Sequence, residues 1–462
     1  MSLNSLSLIV FLPMVVLVNF LLPRRRRYVW LFFASCLFYL SNDPRFAYGL
    51  AFCIGTTYGT GLLLGKGRGI LRKFLLGGCV LVNVLALCLY RIPIGGIHVA
   101  PLGISFYMLQ ALGYVVDVYR NRVKAEGNPL RYAVFVAFFP TVISGPIQRG
   151  EDMLPQIREG SDFDYRRARS GLYYLLGGYL LKLVMADGLG AMVDFAYNDY
   201  GNMPGATLLF ATILYAVQLY CDFAGYSALA IGAAKLLGFE LKENFRQPYF
   251  AVSIRDFWNR WHISLSSWLR DYVYIPLGGN RKGRCRKYFN LLVTFLVSGL
   301  WHGFGINFLI WGALHGLYQV AGSIVSVKEK RRQPAFFQLA KMGLTFVLVD
   351  FAWLFFRADS AEQAFQILER ILFHFDFKQM TYYGSYMLGG TKADLFFMLA
   401  GMVIVFLIDF LHERKFSVEA FTMNRVHLAV RWTMYIGITL FLLLVIVRNY
   451  GQAASTFIYA NF

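Results

Sequence analysis

Charge is what this sequence has least of. Asp, Glu, Lys and Arg make up 15% of its 462 residues and 57% are hydrophobic, too apolar a balance for one water-soluble core. Acidic residues are the scarcer sign, 26 against 45 basic ones, which leaves a formal net charge of +19. Cysteine is limited to Cys36, Cys53, Cys79, Cys88, Cys221 and Cys285. None forms a C-x-x-C pair and five lie inside apolar runs, which speaks against a disulfide framework and a zinc or other metal site. There is no Gly-x-Ser-x-Gly elbow, no phosphate-binding Gly-Lys-Ser/Thr loop and no His-Glu-x-x-His helix, so the commonest chemistries of soluble enzymes are absent. Alternating apolar and polar strands are missing too, which leaves helices to satisfy a backbone in lipid.

What is present in abundance is long apolar runs. A spanning helix needs about 20 mainly apolar residues. Such runs extend from Leu6 to Leu22, Ala47 to Gly65, Phe74 to Tyr90, Gly103 to Val118, Tyr132 to Ile147, Gly171 to Met185 and Leu208 to Leu237. They continue from Phe289 to Trp301, Phe304 to Ile324, Gly343 to Phe356, Leu395 to Phe410 and Ala429 to Val447. With the shorter Trp30 to Leu40, the pattern predicts an all-α polytopic membrane protein of roughly 11 to 13 buried or spanning segments.

The basic residues cap these runs. Arg24 to Arg27, then Lys66, Arg68, Arg72 and Lys73, then Arg120, Arg122 and Lys124 follow successive crossings two apart, which puts these loops in the cytoplasm and the N-terminus outside. The first run lacks a basic leader and is followed by four arginines, as suits an uncleaved span. Charge that caps spans, without striping a soluble domain, points to membrane lipid headgroups and phosphate-bearing cofactors and away from nucleic acid.

Several interruptions stand out. Asp117 lies beside the basic loop and is expected to pair with Arg120. Phe139-Pro140-Thr141 and Ser144-Gly145-Pro146 break an apolar run twice, as a cavity lining would. Asp222, within Gln218 to Ser227, is placed to orient a histidine or to pair with an arginine.

The densest chemistry lies from Asn244 to Gly316. Five of the eight tryptophans fall here, Trp258, Trp261, Trp268, Trp301 and Trp311, together with His262, His302 and His315. A histidine inside lipid is costly enough that function is the first suspicion. From an N-cap at Ser253, the spacing predicts an amphipathic interfacial helix with Phe257, Trp258, Trp261, Leu265, Trp268 and Leu269 on one face and Arg260 on the other. Arg281, Lys282, Arg284, Arg286 and Lys287 follow it. His302 sits between glycines at a helix break, and Asn307, Trp311 and His315 are four apart and so share a face.

The runs Asp256 to Ser266, Trp268 to Tyr272, Pro276 to Arg281 and Gly299-Leu300-Trp301-His302-Gly303 together resemble the membrane-bound O-acyltransferases. The bacterial polysaccharide O-acetyltransferase branch is the nearer one, and teichoic-acid D-alanyl transfer proteins are cousins. The resemblance implies a single membrane-embedded domain over 1–462, with peripheral spans in 1–130, a catalytic core in 131–325 and C-terminal spans in 326–462. It also implies a helical bundle with a central tunnel, where a cytoplasmic acyl thioester such as acetyl-CoA meets an acceptor bound for the outside of the bacterial cytoplasmic membrane. The family's essential histidine matches His302 and its supporting histidine matches His262. Phe457 to Phe462 is similar to an aromatic C-terminal tail whose tyrosine carries the acyl group, matched here by Tyr459. Ala460 and Asn461 depart from that pattern, and an aromatic tail packed at the interface is the alternative.

The chemistry to be done is removal of a hydroxyl proton during attack on a thioester. His302 is the expected general base, kept neutral by apolar surroundings, with His262 positioning the substrates and Asn307 or Trp301 donating to the oxyanion. An external partner of the SGNH type, with its own Ser/His/Asp site, would complete transfer to a polysaccharide. Transfer of D-alanyl from a carrier protein competes with acetyl transfer. A transporter or lipid flippase would also need broken helices, but it predicts two similar halves, and no internal repeat is found.

Overall fold

The computed structural model describes residues 3, 5, 7–91, 100–325, 334–383 and 386–448. Among these, helices are the only regular elements. Eight are long and apolar enough to cross a bilayer: Phe46–Lys66, Ile70–Arg91, Tyr165–Asn198, Gly205–Leu236, Ile306–Val325, Ala335–Arg357, Lys392–Glu413 and Leu428–Val447. The remaining apolar runs are helical as well, apart from the one that begins at Tyr132, whose helix ends at Ala137. Ser7–Leu21, Arg27–Leu40 and Ile104–Tyr119 are shorter, and Gly283–His302 opens on a basic turn.

The chain forms two compact units, Met1–Gly178 with Tyr226–Glu243, and Tyr179–Gly225 with Asn244–Phe462. In the first, Asn128 caps the helix Pro129–Ala137 by accepting from the Leu130 and Arg131 amides, and proline occupies the first turn. The helix then stops where the Phe139-Pro140 and Gly145-Pro146 interruptions predict. The freed backbone is satisfied by side chains: Ser35 Oγ accepts from the Phe139 amide, Gln110 Oε1 from the Gln148 amide, and Gln110 Nε2 donates to the Phe135 carbonyl. Gly103, at φ 75°, lies so close to this segment that a Cβ there would be 2.3 Å from the Val142 carbonyl oxygen.

Asp117 lies beside Arg122 of the basic loop. Asn121 adopts a left-handed conformation, φ 56°, which reverses the chain after Tyr119 and brings Arg122 back over the carboxylate at 3.9 Å. Arg72 reaches across to the Val118 and Tyr119 carbonyls at 3.2 and 2.7 Å, so the basic loops around Lys66–Lys73 and Arg120–Lys124 meet at one end of this unit.

In the second unit a wide π-helical turn, Leu180–Ala186, carries Lys182 into the interior. Its ammonium lies 2.7 Å from Asp222 and 2.8 Å from Asp187. The carboxylate of Asp222 is therefore held by a lysine, a partner not among the histidine and arginine that the sequence offered.

Candidate active site

Two antiparallel helices, Gly283–His302 and Ile306–Val325, form the site's frame. Glycine sets their separation. A Cβ at Gly299 would fall 2.4 Å from the Phe308 carbonyl oxygen, and one at Gly312 would fall 2.5 Å from that of Phe295. Backbones this close leave no room between the helices, so their larger side chains are directed to the flanks. The face predicted by the four-residue spacing is present, with Asn307, Trp311 and His315 at 2%, 1% and 0% exposure.

His302 ends the first helix and is 2% exposed. Its imidazole lies edge-on among three aromatic rings: Trp301 at 4.7 Å, Trp311 at 5.0 Å and Phe356 at 5.0 Å between centroids. His315 continues the cluster one turn beyond Trp311, 5.1 Å from its ring. Trp258 Nε1 donates to His315 Nδ1 at 3.3 Å. An indole nitrogen can only donate, so a neutral His315 carries its own proton on Nε2.

The segment from Ser253 departs from the continuous interfacial helix. Ser253 does cap a helix, accepting from the Asp256 amide, but that helix is Ile254–Arg260 and a second runs from Ile263 to Leu269. Between them His262 stands at φ 44°, a left-handed conformation that is uncommon outside glycine and asparagine. The break arises because a chain segment distant in the first helix's frame replaces its hydrogen bonds. The Arg260 carbonyl, which a continuous helix would offer to residue 264, accepts from the Arg246 amide at 2.9 Å. The Ile263 amide donates to the Asn244 carbonyl at 2.9 Å, and the Ser264 amide to Asn244 Oδ1 at 3.1 Å. The aromatic face is consequently packed within the protein, with Phe257, Trp261 and Leu265 each 1% exposed, and does not lie flat against lipid.

Asn244 also settles the chemistry of His262. Its Oδ1 accepts from Ser264 Oγ at 2.9 Å and lies 3.2 Å from His262 Nδ1. An amide oxygen can only accept, so Nδ1 carries the proton and Nε2 presents the lone pair. The His262 ring packs edge-on against Phe223 at 4.5 Å, and Trp301 lies 6.2 Å away. Trp301 is thus a ring that both His262 and His302 neighbour.

Other residues singled out in the sequence lie elsewhere in the network. Arg260 is clamped by Asp256 at 2.9 Å and by both oxygens of Glu413 at 2.6 and 3.2 Å, a tie between the broken helix and the end of Lys392–Glu413. Asn307 donates from its amide nitrogen to the Phe355 and Ala358 carbonyls at 3.3 and 2.8 Å, closing the end of Ala335–Arg357. With those hydrogens engaged, it is poorly placed to stabilise an oxyanion. Trp311 Nε1, in contrast, is a buried donor with no acceptor among the described residues. Tyr459 lies outside the described residues.

Four contributors were not identified from sequence: Asn244, Phe223, Trp353 and Phe356. Trp353 stacks on Trp311 at 5.9 Å and Phe356 closes on His302, both from a helix some 40 residues later, beyond any periodicity that links them to the central stretch. Asn244 marked the start of that stretch, and a lone asparagine before a short helix carries no signal of its hydrogen-bonding role.

A buried histidine pair, one with a defined tautomer, on a scaffold of spanning helices fits acyl transfer inside a membrane. The sequence profile of the membrane-bound O-acyltransferase family matches residues 120–358. The chain belongs to this family. Over 99% of both chains it is 33% identical to a probable alginate O-acetylase of Pseudomonas putida. It is 36% identical to the peptidoglycan O-acetyltransferase of Helicobacter pylori over 59% of this chain and 56% of that one. The teichoic acid D-alanyltransferase of Bacillus subtilis is 31% identical over 53% of this chain and 67% of its own length. The protein is therefore a multi-pass membrane O-acyltransferase. The matches to O-acetyltransferases are closer and longer than those to D-alanyl transfer proteins, and acetyl transfer is the better reading.

Proposed function

We propose that this membrane-bound O-acyltransferase takes an acetyl group from acetyl-CoA on the cytoplasmic side and delivers it for O-acetylation of a cell-envelope polysaccharide outside the cell. The observation that carries this reading is the pair of buried histidines around Trp301. His302 serves as general base, while His262, accepting through the lone pair on Nε2, positions a substrate N–H or O–H other than the one His302 deprotonates.

In the proposed step the acceptor oxygen attacks the thioester carbonyl as His302 takes its proton. The carbonyl π electrons move to oxygen, where the Trp311 indole N–H is the buried donor available to receive them. Collapse breaks the C–S bond, and the imidazolium returns its proton to the departing sulfur, giving an ester and a free thiol. General-base assistance of this kind contributes on the order of 10²- to 10⁴-fold.

Tyr459 is the proposed first acceptor, its phenol ester remaining reactive enough for an extracellular SGNH-type partner to pass the group to the polymer. The charge-bias rule places the basic loops in the cytoplasm and the N-terminus outside. Radiolabelled acetyl-CoA supplied to reconstituted vesicles tests the reading. His302→Ala should abolish transfer while the protein still inserts, and retained transfer would end the assignment. Intact-mass measurement should show an acetyl adduct that disappears in Tyr459→Phe; no adduct in either protein would remove the relay. A D-alanyl carrier protein that outcompeted acetyl-CoA in the same vesicles would overturn the choice of donor.

A further inference from the structure

The helix Ile70–Arg91 carries an open groove of about 480 Å³, lined by Lys73, Leu76, Gly77, Val80, Leu81, Val84 and Tyr119. Its lining runs from residue 73 to residue 84 along one face of the helix. At 1.5 Å per residue that is about 16 Å, half of a bilayer's ~30 Å hydrocarbon thickness and so the depth of one leaflet.

The groove is apolar except at one end. Lys73 is exposed there, and no acid pairs with it among the described residues. Beside it stand Lys66, Arg68, Arg72 and the Arg120–Lys124 loop, joined by the Arg72 hydrogen bonds to Val118, Tyr119 and Asn121. The carboxylates near this end are already engaged, Asp117 with Arg122 and Glu126 with Arg158. Arg72 also lies over the Tyr119 ring, 5.4 Å from its centroid, which holds the ring at the groove's edge.

Gly77 forms the floor. A Cβ built on it meets nothing within 4 Å, so no packing within the protein calls for glycine there. A glycine in mid-helix costs about 1 kcal/mol relative to alanine. What its missing side chain provides is space on the lipid-facing side.

We propose that this groove binds one anionic phospholipid, with an acyl chain along Gly77, Leu81 and Val84 and the phosphate against Lys73 and the adjoining basic loop. The match of groove length to one leaflet, with the positive charge confined to the headgroup end, selects this occupant over a neutral lipid or a second copy of the chain.

Native mass spectrometry of the full chain in detergent, titrated with phosphatidylglycerol and with phosphatidylcholine of the same acyl chains, tests the proposal. Wild type should retain a first phosphatidylglycerol in preference to phosphatidylcholine. Lys73→Ala should weaken that binding about fivefold, the contribution of one basic residue at a membrane surface. Gly77→Phe should abolish the preferential first binding by filling the groove, with an unchanged or higher thermal midpoint in detergent. Equal retention of the two lipids, unaltered phosphatidylglycerol binding in Gly77→Phe, or a lipid-independent dimer that Gly77→Phe dissociates would each overturn it.

Discussion

Replacing Asn244 with alanine would remove one buried oxygen on which three hydrogens converge. Asn244 is 1% exposed, and its Oδ1 receives the Ser264 amide, the Ser264 hydroxyl and His262 Nδ1. The hydroxyl can rotate away, but the other two donors are held by the backbone and by the packed ring. A buried donor left without an acceptor costs about 1–3 kcal/mol, so the two together should lower stability by about 2–6 kcal/mol. The catalytic effect is separable. Without the amide oxygen, the bond that holds the His262 proton on Nδ1 is lost, and loss of a hydrogen bond of about 0.5–1.5 kcal/mol translates into a roughly two- to thirteenfold slower acetyl transfer. Transfer by folded Asn244→Ala in vesicles measures the rate, and ¹⁵N shifts of labelled histidine report the tautomer. Asn244→Asp supplies the contrast. It keeps an acceptor but adds a negative charge that favours the imidazolium, which has no lone pair to offer. Its rate should therefore be depressed at neutral pH and recover as pH rises. A folded Asn244→Ala with wild-type rate and unchanged ¹⁵N signals would refute the argument that this oxygen sets the tautomer.

Three further outcomes follow from the same contacts. Gly312→Ala places a methyl 2.5 Å from the Phe295 carbonyl oxygen, and overpacking of this kind costs about 1–3 kcal/mol, visible as a lower thermal midpoint together with loss of transfer as His302 shifts. Lys182→Met takes the cation from the buried Asp222 carboxylate and should destabilise by about 3–5 kcal/mol, whereas Lys182→Met with Asp222→Asn should recover much of that loss in the same melting assay. Arg260→Ala breaks the ties to Asp256 and Glu413 but touches neither site histidine, so the thermal midpoint should fall while transfer per folded molecule stays within about threefold, under 1 kcal/mol of barrier.

How far each feature could be read in advance depended on the range of the interaction behind it. Hydrophobic runs and their lengths are local properties, and lipid leaves the backbone few alternatives to helix, so the spans are close to where the apolar runs put them. The break after Ala137 was equally visible, because two prolines cannot donate the bonds a helix needs. The second break, at His262, contains neither glycine nor proline. A run with helical periodicity through Trp261 and Leu265 reads as continuous until Asn244 and Arg246 are placed beside it.

The site divides in the same way. Sequence by itself determined the spans, the concentration of basic residues at their ends, and the shared face of Asn307, Trp311 and His315, because spacing along one helix is enough to decide each of these. Tertiary structure alone decided that Asp222 meets Lys182, that Arg260 is held by Glu413, that Phe356 closes over His302 and that His262 presents Nε2. Each of these joins residues far apart in the chain, and a buried polar atom takes whichever partner the fold brings within hydrogen-bonding distance.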